Sequence, residues 1–244
     1  MKISIITVCF NNKSTIKNCL DSVSQQSGEI EHIIIDGCST DGTIDIIKSY
    51  PHVAFFNSEK DKGIYDALNK GLNAASGDII GFLHSDDVFS SNTILKQVEA
   101  YFLNDSSIDA IYGDIEFIDS NKRKIRYYSS EKFKKSDFLK GKMPAHTSFF
   151  ARKKVYETYK FKLGYKIAAD FDHLLRVFHS EKYHIVYKPI LTTYMLTGGA
   201  STRNIQSRIT INQEILRSCK ENGLKTNMFK IYSKYLHKIF EFKF

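Results

Sequence analysis

Over the first hundred residues, short runs of apolar residues alternate with segments in which apolar residues recur at helical spacing. Such alternation predicts a mostly parallel sheet that is covered by helices. The uninterrupted apolar stretches in "HIIID" and "DIIGFL" are typical of strands that are buried on both faces. The pattern therefore indicates an α/β fold. The predicted strands are "KISIITV", "EHIIIDG", "VAFFNS" and "DIIGFLH", and the predicted helices span residues 14–24, 43–50, 64–75 and 93–103.

Polar and acidic residues follow each of these predicted strands. In open sheets of this kind, ligands bind beyond the carboxyl ends of the strands, so these residues are candidate ligand-binding groups. A turn and helix cap is the competing interpretation of "DGCSTDGT", and we favour it for Asp41. Asp36 follows "HIII" directly and is expected at the sheet edge. The residues after the first two strands include Thr7, Phe10, Asn11, Asp36, Ser39 and Asp41, while "SEKDKG" and "HSDD" follow the third and fourth.

The fourth predicted strand ends in two adjacent carboxylates, Asp86 and Asp87, within "GFLHSDDVFS". Neighbouring like charges are costly to keep ionised unless a positive charge lies beside them. Asp87 or Ser90 could instead cap the next helix, and the two roles are compatible. Carboxylates together with substrate phosphates are the usual ligands of Mg²⁺ or Mn²⁺ beside a nucleotide diphosphate. The sequence therefore predicts a divalent metal at this strand end.

Three segments of the second half carry further candidate chemistry. Asp170 and Asp172 begin a predicted helix in "IAADFDHLLRVFHS", where by themselves they are most simply explained as complements of the helix dipole. "MPAHTSFFARK" places His146 before a predicted strand, and an ordinary loop histidine is equally consistent with it. "TGGASTRN", which contains Arg203, has the composition of a loop that grips a diphosphate, or of an ordinary turn.

Composition narrows the class of protein and its environment. The chain has 244 residues, is 42% hydrophobic and carries a net charge of +8, which predicts one large domain and acidic partners. Four cysteines without a CxxC pair indicate reduced thiols. The sequence shows neither a signal peptide nor a run approaching about 20 apolar residues, so we expect a cytoplasmic location.

Five motifs, taken together and in order, resemble glycosyltransferase family 2 with its GT-A fold, particularly members that assemble bacterial surface polysaccharides. They are "SIITVCFNN", "EHIIIDGCSTDGT", "SEKDKGIYDALNKG", "GDIIGFLHSDDVF" and "YKIAADFDHLLR". The resemblance covers about residues 2–203. It implies a catalytic domain over 1–205, with a nucleotide-binding half over 1–104 and an acceptor-binding half over 105–205, followed by a helical tail over 206–244.

The resemblance also implies a role for most of the candidate residues. It makes Asp170 the catalytic base and Asp172 its neighbour, and it makes Asp86 and Asp87 the metal ligands. One departure is His84, which stands where the first aspartate of the metal motif is commonest, although a neutral imidazole there can still contact ribose. Substrate binding, from the uracil and ribose pocket to the acceptor region, is implied for Thr7, Phe10, Asn11, Asp36, Asp61, Lys62, His84, Ser85, His146 and Arg203.

By this resemblance the protein is a metal-dependent, inverting glycosyltransferase, of hexosyl or N-acetylhexosaminyl class. It would move the sugar from a nucleotide diphosphate, most simply uridine diphosphate, to a lipid-linked or polysaccharide acceptor. Mn²⁺ or Mg²⁺ would stabilise charge on the departing phosphates, and a carboxylate would take the proton of the acceptor hydroxyl.

Other functions fit the sequence less well. A dehydrogenase and a P-loop enzyme are excluded because GxGxxG and GxxxxGK[ST] are missing. A sugar-nucleotide nucleotidyltransferase remains an alternative, although the Gly-rich, Arg-containing loop that such enzymes carry near the N-terminus is missing. A basic nucleic-acid-binding module is the other alternative, but the positive residues are scattered and not interleaved with aromatic residues. We therefore expect no nucleic-acid partner.

The tail, "MFKIYSKYLHKIFEFKF", has apolar and aromatic residues at helical spacing opposite lysines. Such a helix either lies on an anionic membrane or packs on the catalytic domain or a second subunit, for example in a homodimer. A lipid-linked acceptor and the net charge of +8 favour the inner face of the cytoplasmic membrane. The stripe comprises Met228, Tyr232, Tyr235 and Ile239, widened by Phe229, Leu236 and Phe240.

Overall fold

The structure, a computed structural model, describes residues 1–197 and 205–235, which contain one nine-stranded sheet and the helices that cover it. The strands are β1 (Ile3–Cys9), β2 (Ile30–Asp36), β3 (Val53–Ser58), β4 (Ile79–Phe82), β5 (Val88–Phe89), β6 (Ala110–Ile118), β7 (Lys124–Tyr128), β8 (Phe150–Arg152) and β9 (Ile185–Leu196). The α-helices are α1 (Ile16–Ser24), α2 (Thr43–Lys48), α3 (Ile64–Ala74), α4 (Ile94–Asn104), α5 (Lys153–Thr158), α6 (Ala169–His179), α7 (Ile205–Glu221) and α8 (Met228–Tyr232), and 3₁₀ helices span Lys135–Lys140 and His146–Ser148.

The sheet has the order β3-β2-β1-β4-β8-β6-β9-β5, and β7 pairs with β6 outside this path. The first four strands are parallel. β8 runs antiparallel between β4 and β6, and β9 is parallel to β6. This mixed but mostly parallel sheet with helical cover confirms the α/β fold that the hydrophobic pattern predicted.

The elements predicted for the first hundred residues agree closely with those observed. The helix predicted over 64–75 is α3, and all seven residues of β1 are buried, as expected for a strand covered on both faces. Gly71 of α3 permits this close cover, because a β-carbon there would collide with the side chain of Ile6. Apolar spacing thus determined both the strands and the helix faces that cover them.

The register of the parallel strands places their carboxyl ends side by side. Cys9 at the end of β1 pairs with Asp36 at the end of β2, and Asp36 pairs with Ser58 at the end of β3. β4 continues the row, with Phe82 opposite Ile6 of β1. The loops that leave these four strands therefore share one border of the sheet, which we call the carboxyl edge.

The C-terminal helices pack onto the sheet domain within the described residues. Ile215 and Cys219 of α7 and Ile231 of α8 belong to the same buried core as residues of α3 and α6. Phe229 of α8, by contrast, is 89% exposed. The predicted tail stripe continues through Leu236, Ile239 and Phe240, which lie outside the described residues. Across residues 1–197 and 205–235, no helix combines the length and apolar character needed to cross a bilayer.

Candidate active site

The loops after β1 and β2 are tied together at the carboxyl edge by Asn11. Its backbone adopts φ 54°, a left-handed conformation that asparagine tolerates better than most residues. The Asn11 backbone N–H donates to Ser39 Oγ at 2.7 Å, and its Oδ1 accepts from the Thr40 backbone N–H at 2.9 Å. Asn11 therefore shapes the rim of the site through its contacts with the neighbouring loop.

Asp36 supports the same loop from below and is fully buried. Its carboxylate accepts hydrogen bonds from the backbone N–H and hydroxyl of Ser39, from the hydroxyl of Ser58 at 2.6 Å and from the thiol of Cys9. Burial raises the pKa of Asp36, but these hydrogen bonds outweigh burial and the pKa is lowered. Both oxygens are thus occupied within the protein, so Asp36 positions the loop and does not present a free carboxylate to a ligand.

Phe10, Gly37 and Asp61 lie close together at this edge of the sheet. The Phe10 side chain is 60% exposed, and a β-carbon at Gly37 would lie 2.8 Å from Asp61 Oδ2 and 3.4 Å from the Phe10 ring. Asp61 Oδ1 accepts from the Gly63 backbone N–H at 2.8 Å, while Lys62 beside it is exposed. An exposed aromatic ring beside a carboxylate and a lysine suits a nucleobase and the ribose phosphate attached to it.

Thr7 does not reach this group of residues. It is fully buried within β1, and its hydroxyl is 3.0 Å from His32 Nε2. The same hydroxyl lies 3.8 Å from Cys19 Sγ of α1, so the side chain of Thr7 faces the buried side of the sheet under α1 and not the carboxyl edge. The expectation that Thr7 lines the uracil pocket is therefore wrong.

Asp87 is held in the turn after β4 with one of its oxygens unused. Its backbone N–H donates to the His84 carbonyl at 3.0 Å, and its Oδ1 accepts from the Leu196 backbone N–H at 3.2 Å. Oδ2 is buried and has no hydrogen-bond partner among the described residues. Burial raises the pKa of Asp87 well above its ordinary range, and the neighbouring Asp86 raises it further.

A divalent cation fits these two acids. A buried carboxylate oxygen without a donor is costly to keep ionised, and a cation would compensate its charge. Asp86 is half-buried beside it, and Ser85 is buried. Among residues 1–197 and 205–235, no group of three or more His, Cys, Asp or Glu side chains could hold a metal alone. Oxygens of a bound ligand would complete the coordination beside these two acids.

Asp170 lies in the first turn of α6, with its side chain 18% exposed. Its Oδ1 accepts from the Phe171 backbone N–H at 2.8 Å, and the hydroxyl of Tyr65 donates to the same carboxylate. Its Oδ2 lies 3.5 Å from His146 Nδ1. Burial raises the pKa of Asp170 to about 6, although the hydrogen bonds from Phe171 and Tyr65 limit the rise. Such a carboxylate is ionised at neutral pH and more basic than an ordinary aspartate.

His146 connects Asp170 to the turn that carries Asp86 and Asp87. Its Nε2 is 2.5 Å from Nε2 of His84, a residue 62 positions away in the chain. Burial lowers the pKa of His84 to about 3 and that of His146 to about 4, so both imidazoles are neutral near pH 7. The carboxyl edge therefore contains a continuous line of side chains from His84 through His146 to Asp170.

Asp172 faces away from this line. It is fully buried and accepts from Arg176 Nε at 2.7 Å and from the hydroxyl of Ser218 on α7 at 2.9 Å. Lys162 adds an ion pair at 3.3 Å. Two residues along a helix are separated by about 200° of rotation, so Asp170 and Asp172 cannot share one face. The expectation that Asp172 stands beside the base is wrong; its carboxylate joins α6 to α7.

The sequence pattern did not identify two residues that contribute to the site, Tyr65 and Glu214. Tyr65 lies within the quoted motif "SEKDKGIYDALNKG", yet its contact with Asp170 joins residues that are far apart in the chain. Glu214 of α7 accepts from the backbone N–H groups of Lys166, Ile167 and Ala168 at 2.6 to 2.9 Å, and it thereby holds the segment that leads into α6. Arg203 lies outside the described residues.

The sequence is similar to those of known glycosyltransferases. Residues 4–160 match the protein family described as glycosyl transferase family 2. The chain is 34% identical over 179 residues to the uncharacterized glycosyltransferase Rv1514c of Mycobacterium tuberculosis, which covers 71% of this chain and 68% of that protein. It is 29% identical over 205 residues to a PGL/p-HBAD biosynthesis glycosyltransferase of Mycobacterium bovis, covering 81% of this chain and 78% of the relative.

A solved structure with a similar fold is glucosyl-3-phosphoglycerate synthase from Mycobacterium tuberculosis, in complex with Mn²⁺, uridine diphosphate and phosphoglyceric acid. The match has a TM-score of 0.63 and covers 93% of this chain and 80% of that chain. Sequence identity is 19%, so the likeness concerns the fold.

Proposed function

The chain belongs to glycosyl transferase family 2 and has the GT-A fold, as its motifs predicted, and we propose that it transfers a sugar from a UDP-sugar with inversion to a lipid-linked or polysaccharide acceptor. The observation that carries the proposal is the pairing of two different acids on one carboxyl edge. Asp87 presents a buried oxygen without a partner among the described residues, and Asp170, across two histidines, has a raised pKa. The first suits a cation on departing phosphates, and the second suits a proton acceptor.

In this proposal the donor binds at the surface beside Phe10, Gly37 and Asp61. The exposed Phe10 ring offers a face for a base, and Lys62 offers a positive charge for the diphosphate. The related synthase that binds uridine diphosphate supports uracil as the base in this proposal. Hexosyl and N-acetylhexosaminyl groups are the proposed sugars.

Asp86 and Asp87 are the proposed ligands of Mn²⁺ or Mg²⁺, together with the donor phosphates. The bound cation would stabilise the negative charge that develops on the departing diphosphate. The buried Oδ2 of Asp87, which has no partner within residues 1–197 and 205–235, favours such an ion. Asp86 contributes a second negative charge beside it, which strengthens attraction for a hard cation.

Asp170 is the proposed catalytic base. The acceptor hydroxyl oxygen bonds to the anomeric carbon while the bond from that carbon to the diphosphate oxygen breaks. The hydroxyl proton passes to the carboxylate of Asp170, which becomes a neutral carboxylic acid. With a pKa of about 6, Asp170 is ionised at neutral pH and close in basicity to the optimum for that transfer. Attack from the face opposite the diphosphate inverts the configuration.

The proposed acceptor is an oligosaccharide on a lipid carrier or a growing surface polysaccharide, met at the inner face of the cell membrane. A relative named for PGL/p-HBAD biosynthesis supports a role in glycan assembly. On the surface formed by α8 and the 3₁₀ helix Lys135–Lys140, the exposed Phe229 lies beside a cleft that Lys140 and Lys230 also line. An exposed aromatic residue among lysines suits contact with anionic lipid headgroups.

Nucleotide release across a panel of sugar nucleotides tests the proposal. We expect uridine diphosphate to be released with Mn²⁺ or Mg²⁺ and an oligosaccharide acceptor, and we expect a chelator to abolish the release. Proton NMR of the product linkage should show the anomeric configuration opposite to that of the donor. Release from no donor would refute the transferase, full activity after chelation would refute the metal, and a retained configuration would refute the direct displacement.

A further inference from the structure

The geometry points to His146 as a positioning residue: we propose that His146, fixed in one tautomer by His84, holds the carboxylate of Asp170 toward the acceptor and links it to the turn that carries Asp86 and Asp87. This inference rests on the proposed glycosyl transfer, because it assigns a role around the same base. Neither histidine has a part in the proposed transfer step, although both are half-buried in the line that ends at Asp170.

The tautomers follow from the donor and acceptor capacity of each atom. An ionised carboxylate can only accept, so the His146 Nδ1 that faces Asp170 Oδ2 must carry the proton. A neutral imidazole has one N–H, which leaves Nε2 of His146 as an acceptor. The facing Nε2 of His84 must therefore donate. Each N–H in the line points toward Asp170, and each acceptor points away from it.

The relative basicities decide which member of the line takes the proton. Burial lowers the pKa of His146 to about 4, whereas burial raises that of Asp170 to about 6. A proton that arrives from the acceptor hydroxyl is therefore held by Asp170 and not by His146. Tyr65 from α3 and the buried Glu214 from α7 also influence Asp170, the first through its hydroxyl and the second through its charge.

The backbone couples this line to the two acids after β4. The carbonyl of His84 accepts from the backbone N–H of Asp87 at 3.0 Å, so His84 and Asp87 belong to one hydrogen-bonded turn. Any adjustment of the turn when the donor phosphates bind would move His84 and, through His146, the carboxylate of Asp170. Donor binding and the orientation of the base are thereby connected through His84, His146 and Asp170.

Replacing His146 by Phe tests the role without opening a cavity. His146→Phe removes the N–H that faces Asp170, so the ionised carboxylate loses a donor and the acid limb of the pH–rate profile, near pH 6, should move to higher pH. We expect turnover to fall by about 10- to 100-fold, the scale of a misplaced catalytic group, with the KM for the donor changed by less than about threefold. His146→Asn returns a donor near the position of Nδ1 and should recover part of both effects.

His173→Phe is the matched control. It removes a buried imidazole from the helix that carries Asp170, and the His173 ring lies against Tyr156 and Phe161 and not in the line. Equal turnover and equal pH profiles in the His146 and His173 variants, both folded by circular dichroism, would overturn the inference. A His146→Phe variant that loses donor affinity while keeping turnover at saturation would overturn it as well.

A readout independent of activity keeps this inference separate from the proposed function. Long-range ¹⁵N–¹H NMR of the imidazoles should show His146 with its proton on Nδ1 and His84 with its proton on Nε2, and Asp170→Ala should release His146 from that tautomer. A His146 protonated on Nε2 in the wild-type protein refutes the line whatever the activity. If no sugar nucleotide is turned over yet the tautomers are as stated, the proposed transferase fails while the line from His84 to Asp170 stands.

Discussion

Asp170 and Asp172 are separated by two positions, yet replacing them by Asn should have different effects. Asp172→Asn should lower the stability of the protein, whereas Asp170→Asn should lower its turnover. Asp172 is fully buried and accepts from Arg176 Nε at 2.7 Å and Ser218 Oγ at 2.9 Å. Arg176 is itself only 13% exposed, so losing the carboxylate leaves a largely buried guanidinium without its counter-charge. Breaking such a pair costs about 3–5 kcal/mol, whereas Lys162, 38% exposed, adds little because solvent screens it.

Asp170→Asn should behave in the opposite way. Burial raises the pKa of this carboxyl from 3.8 to about 6. At neutral pH, the ionised carboxylate therefore destabilises the folded protein by about 3 kcal/mol. The neutral amide removes that cost, so the variant should be as stable as the wild type or more stable by about 1–3 kcal/mol. Its turnover should fall by about 100-fold or more because the proton acceptor is lost.

Urea unfolding at pH 7.5 and steady-state nucleotide release measure the two effects on the same preparations. We expect Asp172→Asn to lower the free energy of unfolding by about 3 kcal/mol while turnover per folded molecule stays within about threefold of the wild type. Asp170→Asn should keep its stability and lose its turnover. The assignment of roles fails if Asp172→Asn is as stable as the wild type and inactive, or if Asp170→Asn unfolds readily.

Three further predictions concern the metal ligands, acid stability and the membrane. Asp87→Asn should lower turnover by about 100-fold, whereas Asp105→Asn on an exposed loop should leave it unchanged, as measured by nucleotide release with saturating Mn²⁺. Burial lowers the pKa of His32 to about 3, so the unfolded chain binds a proton below about pH 6.5 and the folded protein does not. The free energy of unfolding therefore falls as pH falls from 6.5 toward 3, and His32 accounts for about 2 kcal/mol of that loss at pH 5. Between pH 7 and pH 5, urea titrations should show a loss that is smaller by about 2 kcal/mol in His32→Gln than in the wild type. Phe229→Ser should weaken sedimentation with anionic vesicles while Leu103→Ser, also on the surface, should not; equal binding by both would show that α8 does not serve the membrane.

The pattern of apolar residues was sufficient to predict the first half of the fold. β1 and α3 lie where "KISIITV" and residues 64–75 placed them, because burial on a sheet imposes strand runs and burial of a helix face imposes a spacing near 3.6. The common edge followed from the same information, since parallel strands joined by helices bring their carboxyl ends together. Local order along the chain therefore determined which loops meet.

The sequence pattern did not determine which side chains in those loops are available to a ligand. Their availability depends on contacts between residues that are distant in the chain. Thr7 and Asp36 are polar residues near strand ends, yet buried hydrogen bonds from distant residues occupy them. Asp87, with a similar local pattern, keeps an oxygen without a partner among the described residues. The difference arises because hydrogen-bond partners come from neighbouring strands and helices, whose identity at each position depends on how those elements pack.

The amino-acid sequence by itself determined the α/β architecture, the shared edge of acidic loops and the family motifs. All three depend on spacing over a few residues or a few elements. The sequence did not determine which of Asp170 and Asp172 faces the site, the contact of His84 with His146 or the support of α6 by Glu214 of α7. Those features join residues from 46 to 62 positions apart or depend on the rotation of α6. Packing of helices against the sheet selects them, because burial and pairing of charged groups are properties of the assembled interior.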